Sequence, residues 1–464
     1  MENASNPIDS ATIQFHTVPN MPINIFETRS DLLFGILNIK MHGNVPAYNK
    51  PLHFLFTIDI SGSMDEYSSH TCSRSKLSFV KLTIKKIVAY LIQLNQTNFN
   101  MSINVFDDQF EELMPTTLIC SQTEVTINNV LSDLTARGST DIGLALKNVS
   151  TQIQQIRAQN PDGKIVHIFL TDGEVTSGEF NVEKLKASVS PLCDHVFIGY
   201  GEAHDAVLLS ELASKNQYIF IDNTEKTGEA CGEFLHKIIY KSFSNAVITM
   251  HNAQIYDFVI DSWVTSLCIG DLVSEEQKYF QIRAYVEDRA NVSADISSIM
   301  TVKEEPPVEA IDLSKFILRQ RTQEYLYKAK VFALKVKNEA YIVDNKIEEE
   351  RLMLVNELTV FFQKLKQNFD ETNDNFIKIL CDDIYVVIKS ANSDNFVAFA
   401  LGRQVTQGRQ YTNTCDYATQ EHVFGACSTF DAEHYELSDA QDSPYITYTC
   451  GNTMRQISTR STNI

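Results

Sequence analysis

Between residues 53 and 241, short apolar runs alternate with stretches of helical periodicity, the pattern of a parallel sheet covered on both faces. The runs HFLFTID (53–59), MSINVF (101–106), KIVHIFLT (164–171), DHVFIGY (194–200) and QYIFI (217–221) are rich in Ile, Val and Phe, as strands buried on both faces are. TTLIC (116–120) reads as an antiparallel edge strand. Val80, Ile84, Ile87, Val88 and Leu91 recur on one helix face. Residues 143–155 and 182–190 supply further helices, and Phe234, Leu235, Ile238 and Ile239 mark a last one. The predicted fold class is α/β, a doubly wound, Rossmann-like domain over residues 51–241.

The flanks follow another pattern. TIQFHTV, DLLFGILNIKM, AVITMHNAQIYDFVI and YFQIRAYVE are strand-like with loose alternation, so residues 1–50 and 242–302 are expected to pair into a small antiparallel β-sandwich into which the α/β domain is inserted. KEEPPV (303–308) reads as a linker, because Pro306 and Pro307 continue neither a helix nor a central strand. Helical spacing over 312–338 and 347–370, with Phe316, Tyr325, Phe332, Leu334, Leu354, Leu358, Phe361 and Leu365 apolar, predicts a helical hairpin turning near Asp344 and Asn345. IYVVIKSA (384–391) and FVAFALGR (396–403) read as short strands that complete a region 303–402. Residues 403–464, rich in Thr, Gln, Ser and Asn, are expected to be a polar tail, partly extended or disordered.

Charge then narrows the function. Against 39 basic side chains stand 59 acidic ones, a net charge of −20 over 464 residues. The basic stripe that nucleic acid requires is missing, and an anionic membrane surface is equally disfavoured. No run approaches the roughly 18 to 20 apolar residues that span a bilayer, so membrane insertion is not expected. The first thirty residues lack the basic and apolar regions of a signal peptide. Nine cysteines show neither CxxC nor zinc-finger spacing and read as reduced thiols. The expected compartment is intracellular and cytoplasmic or, for a viral chain, the virion or host cytoplasm.

The candidate chemistry gathers at strand ends. In FTIDISGSM (56–64), Asp59, Ser61 and Ser63 lie in the turn leaving the first strand, with Gly62 permitting a tight bend. Thr140 lies in RGSTDIG (137–143) at a helix entrance, and Asp172 follows the strand ending in Thr171. Ligands of doubly wound sheets bind outside the carboxyl ends of the strands. Five oxygens there, from two carboxylates and three hydroxyls, form a hard donor set suited to Mg²⁺, Mn²⁺ or Ca²⁺. Taken singly, each piece has an ordinary reading as a helix cap or a turn. Their order within a doubly wound pattern is what makes them a candidate divalent site.

Asp59, Ser61, Ser63, the Thr140 loop and the TDG turn at 171–173 resemble the metal-ion-dependent adhesion site of von Willebrand factor type A domains. The resemblance covers about residues 51–241 and implies a Rossmann-like fold, bound Mg²⁺ or Mn²⁺, and a role in protein–protein recognition. It implies that a partner Asp or Glu completes the coordination. It further implies that Thr140 or Asp172 exchanges direct for water-mediated contact while the helix over 229–241 moves. GEACGEFLHKIIYKSFSNAVITM (228–250), FILRQRTQEYLYKAK (316–330) and RQVTQGRQ (403–410) resemble intracellular type A proteins of plants, protists and large DNA viruses. Some plant relatives carry a RING module; no RING spacing occurs in these residues, so ubiquitin ligation is not implied.

The rival reading is a Mg²⁺-dependent aspartate phosphotransferase or hydrolase, which also places an Asp at the end of a first strand. That chemistry typically needs a second acid two residues on, where this chain has Ser61. Neither a GxSxG elbow nor a P-loop occurs, and a non-enzymatic binding module is the expectation. Elsewhere, Glu174 reads as either an orienter of metal-bound water or a solvated acid. Asp107 and Asp108 read as a strand-ending turn, Arg319 and Arg321 as a solvated face able to pair with residues 348–350, and Trp263 as core.

Overall fold

The computed structural model describes residues 10–17, 31–42, 51–66, 75–94, 98–173, 175–201, 204–213, 218–221, 235, 237–273, 277–297, 301–304, 313–338, 345–393, 396–409, 445–450 and 453–458. The chain divides into two compact units, Met1–Ala47 with Leu235–Cys415 and Tyr48–Phe234 with Asp416–Ile464. Two strands of the first unit, β1 (Ser10–Thr17) and β2 (Leu32–His42), precede the second in sequence.

The second unit is built on a six-stranded sheet. Its strands are β3 (Leu52–Asp59), β4 (Phe99–Phe106), β5 (Phe110–Leu118), β6 (Lys164–Thr171), β7 (Asp194–Tyr200) and β8 (Tyr218–Ile221), in the order β5-β4-β3-β6-β7-β8. All neighbours run parallel except β4 and β5. The chain leaves β3 toward β4 on one side and returns to β6 on the other, so β3 ends at the point where the strand order reverses. Every residue of β3 is buried, as a central strand covered on both faces requires. Phe54, Phe56, Phe99, Phe106, Phe169 and Phe197 are fully buried, and Phe106 stacks on Phe169 with ring centroids 5.0 Å apart. Phe169→Ala should therefore cost about 3–5 kcal/mol, measured by urea denaturation. A loss below about 1 kcal/mol would contradict this packing.

The helices are α1 (Lys76–Gln93), α2 (Glu124–Ser132), α3 (Ile142–Gln159), α4 (Val182–Ser188) and α5 (Ala206–Leu212). Ser75, Asp141, Asn181 and Asp205 cap α1, α3, α4 and α5 by accepting from backbone N–H groups of the first turn. The edge strand is longer than 116–120 and begins at Phe110. The short α2 and α5 add to the expected helices; in α2 only Ile127 and Leu131 are buried, too few for a clear period. Most of the expected helix over 229–241 lies outside the described residues, though 235 and 237–239 are helical and Lys241 already begins a strand.

A polar chain crosses this sheet. His195 Nε2 donates to the Ser190 carbonyl at 2.6 Å, so its Nδ1 is free to accept from His167 Nδ1 at 2.9 Å. His167 Nε2 then accepts from the Thr57 hydroxyl at 3.0 Å. Both rings are neutral in this arrangement. A second proton on His195 would set two N–H groups against each other.

The first unit continues with β9 (Lys241–His251), β10 (Gln254–Asp257), β11 (Ser262–Val264), β12 (Ser266–Val273), β13 (Gln277–Tyr285), β14 (Ser293–Ile296) and β15 (Thr301–Glu304). One sheet has the order β11-β10-β13-β2-β1-β15, the other β12-β9-β14. Leu37, Ile39, Ile248, Met250, Leu272 and Ile282, from both sheets, share one core. The larger sheet is not wholly antiparallel, because β15 joins β1 in parallel. Lys303 and Glu304 of the expected linker belong to that strand, and residues 305–308 lie outside the described residues.

Among the described residues four helices follow: α6 (Leu313–Asn338), α7 (Asn345–Thr372), α8 (Asn375–Ser390) and α9 (Phe396–Arg409). The hairpin of α6 and α7 matches the periodicity, but the two runs read as strands are the helices α8 and α9. Asp374 caps α8 by accepting from Phe376 N–H at 2.8 Å, and Ile377, Leu380, Cys381 and Ile384 follow on one buried face. Burial of nearly the whole second half of α8 leaves no polar stripe, so 384–391 looks like a strand when read alone. Arg319 is not on a solvated face; it is buried and donates to the Tyr279 carbonyl at 3.2 Å. Arg321 pairs with Glu324 in its own helix, while Glu350 pairs with Lys335. Trp263 is only half-buried, with Arg283 at 4.8 Å from its ring centroid. Beyond Arg409 the described residues form a hairpin of β16 (Tyr445–Cys450) and β17 (Thr453–Ser458). Residues 403–409 of the expected tail belong to α9, and the rest of it, apart from that hairpin, lies outside the described residues.

Candidate metal centre

Asp59 is the last residue of β3 and is fully buried. Its Oδ1 accepts from the Ser61 backbone N–H at 2.8 Å and its Oδ2 from the Thr171 hydroxyl at 2.5 Å. The chain then makes one 3-10 turn over Gly62–Asp65, pinned by buried Met64. That turn brings the Ser63 hydroxyl back to 3.2 Å from that of Ser61, and Ser63 Oγ donates to Asp172 Oδ1 at 2.9 Å. Asp59, Ser61, Ser63 and Asp172 thus form one connected cluster at the carboxyl edge of β3 and β6.

The Thr140 loop is stitched to the same edge through its backbone. Gly62 N–H donates to the Gly138 carbonyl at 3.2 Å, and Arg137 N–H to the Ile60 carbonyl at 2.6 Å. Gly138 has φ +70°, and a Cβ there would meet Asp107 Oδ2 at 2.7 Å, so glycine is required on both counts. Thr140 is 2% exposed, and its backbone N–H donates to Thr176 Oγ1 at 2.8 Å. A Cβ built on Gly173 would stand 3.3 Å from Thr140 Oγ1 and 3.7 Å from Ser63 Oγ. Those two hydroxyls therefore flank one small space, which any larger residue at 173 would begin to fill.

Burial raises the Asp59 carboxyl to about 6, against the pull of the Thr171 and Ser61 hydrogen bonds, and the nearby charge of Asp172 adds to the rise. Asp172 is held by Lys76 Nζ at 2.6 Å. Of the two buried carboxylates, Asp172 is the one paired with an ammonium. Among the described residues no three His, Cys, Asp or Glu gather as a metal-holding group. The donor set is instead two carboxylates and hydroxyls, and its hard oxygens and shortage of positive charge fit a divalent cation.

The sequence over residues 54–233 matches the family model described as von Willebrand factor type A domain. Residues 54–233 form a von Willebrand factor type A domain. The chain is similar in fold to a solved von Willebrand factor type A protein from Catenulispora acidiphila, with 14% identity and a TM-score of 0.50 over 88% of this chain and 98% of that one. It is also similar to the ArnB paralog VWA2 from Sulfolobus acidocaldarius, with 13% identity and a TM-score of 0.43 over 86% and 98% of the two chains. A third solved structure is proximal thread matrix protein 1 from the mussel byssus with a zinc-occupied MIDAS motif, with 18% identity and a TM-score of 0.34 over 44% and 50%. No curated relative matches the chain.

Three further residues gain a part in this type A domain's site only in the structure. Thr171 orients Asp59, yet in the sequence it is only the last residue of an apolar strand. Asp107 accepts from Gln109 N–H at 2.8 Å, the expected turn, but it also pairs with Arg137 Nε at 2.9 Å and so braces the Thr140 loop. Lys76 did carry a signal: a cation opening a helix opposes the helix dipole, where an acid is the usual choice. Glu174 lies outside the described residues, as do 67–74 of the loop into α1.

Proposed function

We propose that the type A domain is a divalent-metal-dependent protein-binding module whose metal, Mg²⁺ or else Mn²⁺ or Ca²⁺, is held by Asp59, Ser61, Ser63, Thr140 and Asp172. The observation that carries this reading is the hydrogen-bonded cluster of Asp59, Ser61, Ser63 and Asp172 at the strand-order reversal. Two carboxylates and three hydroxyls leave a divalent cation short of full coordination, and a partner Asp or Glu has the charge and oxygens to fill the open position. When bound, the metal supplies the positive charge that attracts such a carboxylate. The chain's own residues set its place: Thr171 and the Ser61 N–H orient Asp59, Ser63 orients Asp172, and the Arg137–Asp107 pair holds the Thr140 loop. The segments over 64–76, 107–112, 137–142 and 173–180 would supply selectivity, as surface segments on a rigid scaffold commonly do.

Affinity capture from cell lysate tests this reading. A partner should be retained in Mg²⁺, released by EDTA, and absent with Asp59→Ala bait. Single Asp→Asn or Glu→Gln changes on that partner should include one that weakens binding as much as EDTA does. Retention unaffected by EDTA and by Thr140→Ala would contradict the proposal.

A further inference from the structure

A cation already present beside Asp172 belongs to the chain. Lys76 is 8% exposed, and its Nζ lies 2.6 Å from Asp172 Oδ2, 3.0 Å from Glu66 Oε2 and 3.4 Å from the Ser63 carbonyl. Its stem passes Gly201, where φ is +76° and a Cβ would stand 3.5 Å from Lys76 Cε. A carbonyl and two carboxylates around the head make a seat for this ammonium. The seat is not explained by helix α1. Lys76 is that helix's first residue, its first turn holds no acid, and a positive charge there is disfavoured by the dipole. What holds the ammonium is Asp172, whose other oxygen accepts from Ser63.

We propose that Lys76 is a tethered cation that occupies the Asp172 side of the metal centre, and that a divalent ion engages Asp172, directly or through water, only by displacing the Lys76 ammonium. The inference rests on the metal-binding reading and adds a control to it. With Lys76 seated, Asp172 has one oxygen committed to the ammonium and the other to Ser63. A divalent ion entering then faces two carboxylates and a like charge a few ångströms away, which is unfavourable in a buried site. Glu66, largely exposed, is the ready acceptor for the displaced ammonium. The lysine would set the threshold of cation concentration at which the binding surface is switched on, and would keep the apo site from being left with two unbalanced acids.

Calorimetric titration with Mg²⁺ and with Mn²⁺ decides the matter, using the full chain as wild type, Lys76→Met and Lys76→Arg. Methionine keeps the stem and removes the charge; affinity should rise by roughly tenfold or more. Arginine keeps the charge, and affinity should stay within about threefold of wild type or fall. A second readout needs no variant: amine acetylation followed by mass spectrometry should label Lys76 more in Mg²⁺ than in EDTA, because the displaced head reaches solvent. Equal affinity of wild type and Lys76→Met, or labelling of Lys76 that Mg²⁺ does not change, overturns the proposal and leaves the metal-binding reading standing. Absence of binding in wild type and Lys76→Met alike removes the metal-binding reading, and this inference with it.

Discussion

Asp59→Ala should abolish divalent-metal binding by this domain while leaving it folded. Wild type should titrate with one Mg²⁺ site in calorimetry, and the variant should show a loss beyond about 100-fold, since even outer partners of metal ligands typically carry 10–100-fold. The Ser61→Ala/Ser63→Ala double variant should behave alike. The reason the fold survives lies in the same residue. Burial disfavours the Asp59 carboxylate, which ionises only near 6 instead of 3.8, so the metal-free domain gains nothing from its charge. Melting of Asp59→Ala in EDTA should be unchanged or shifted upward, apart from the Thr171 hydroxyl that loses its acceptor. Unchanged Mg²⁺ binding would place the metal elsewhere. Collapse of the far-UV signal in EDTA would show instead that the metal is structural.

Acid should unfold the α/β unit well above the range in which carboxylates usually titrate. Burial holds His53 and His204 down to about 4 from an ordinary 6.5, and it lowers His167 and His195 as well. Each is buried as the neutral ring, so its contribution is fully present above about 6.5 and is lost as pH falls toward 4. For His53 or His204 that is about 3 kcal/mol each. Asp59 acts in the opposite sense: its raised value favours the fold below 3.8, and that favour is lost as pH rises through about 6. Several histidines outweigh one aspartate. Unfolding free energy from urea curves should therefore drop by several kcal/mol between pH 7 and 4.5. His53 bonds Ser102 at 2.8 Å, and replacing both at once with His53→Leu and Ser102→Ala should remove one histidine's share of that slope. A flat profile would contradict the neutral buried rings.

The α/β unit was legible because its strands and helices carry their burial as pattern. HFLFTID and KIVHIFLT are apolar end to end because both faces of β3 and β6 are covered, and Val80 to Leu91 repeats at helical spacing because α1 buries one face. The same logic misled at 384–391 and 396–403: helices α8 and α9 are buried so widely that their apolar runs lose the helical stripe. The parallel pairing of β1 with β15 was invisible, since partners almost three hundred residues apart leave no local trace. At the proposed site, Asp59, Ser61, Ser63, Thr140 and Asp172 stood out by their places at strand ends and a helix entrance, and the structure joins Asp59, Ser61, Ser63 and Asp172 by hydrogen bonds. What escaped were the residues acting through them. Thr171 and Asp107 look like ordinary strand ends, and Lys76 gains its meaning only when folding brings it to Asp172, 96 positions on.

The most direct test of a divalent centre at this edge is a crystal structure grown with Mn²⁺, with anomalous differences collected near the manganese edge. A single peak within about 2.3 Å of oxygens of Asp59, Ser61 and Ser63, with Thr140 and Asp172 bound directly or through water, is the predicted result. Ordered density for those side chains with no peak among them, at saturating Mn²⁺, would contradict it.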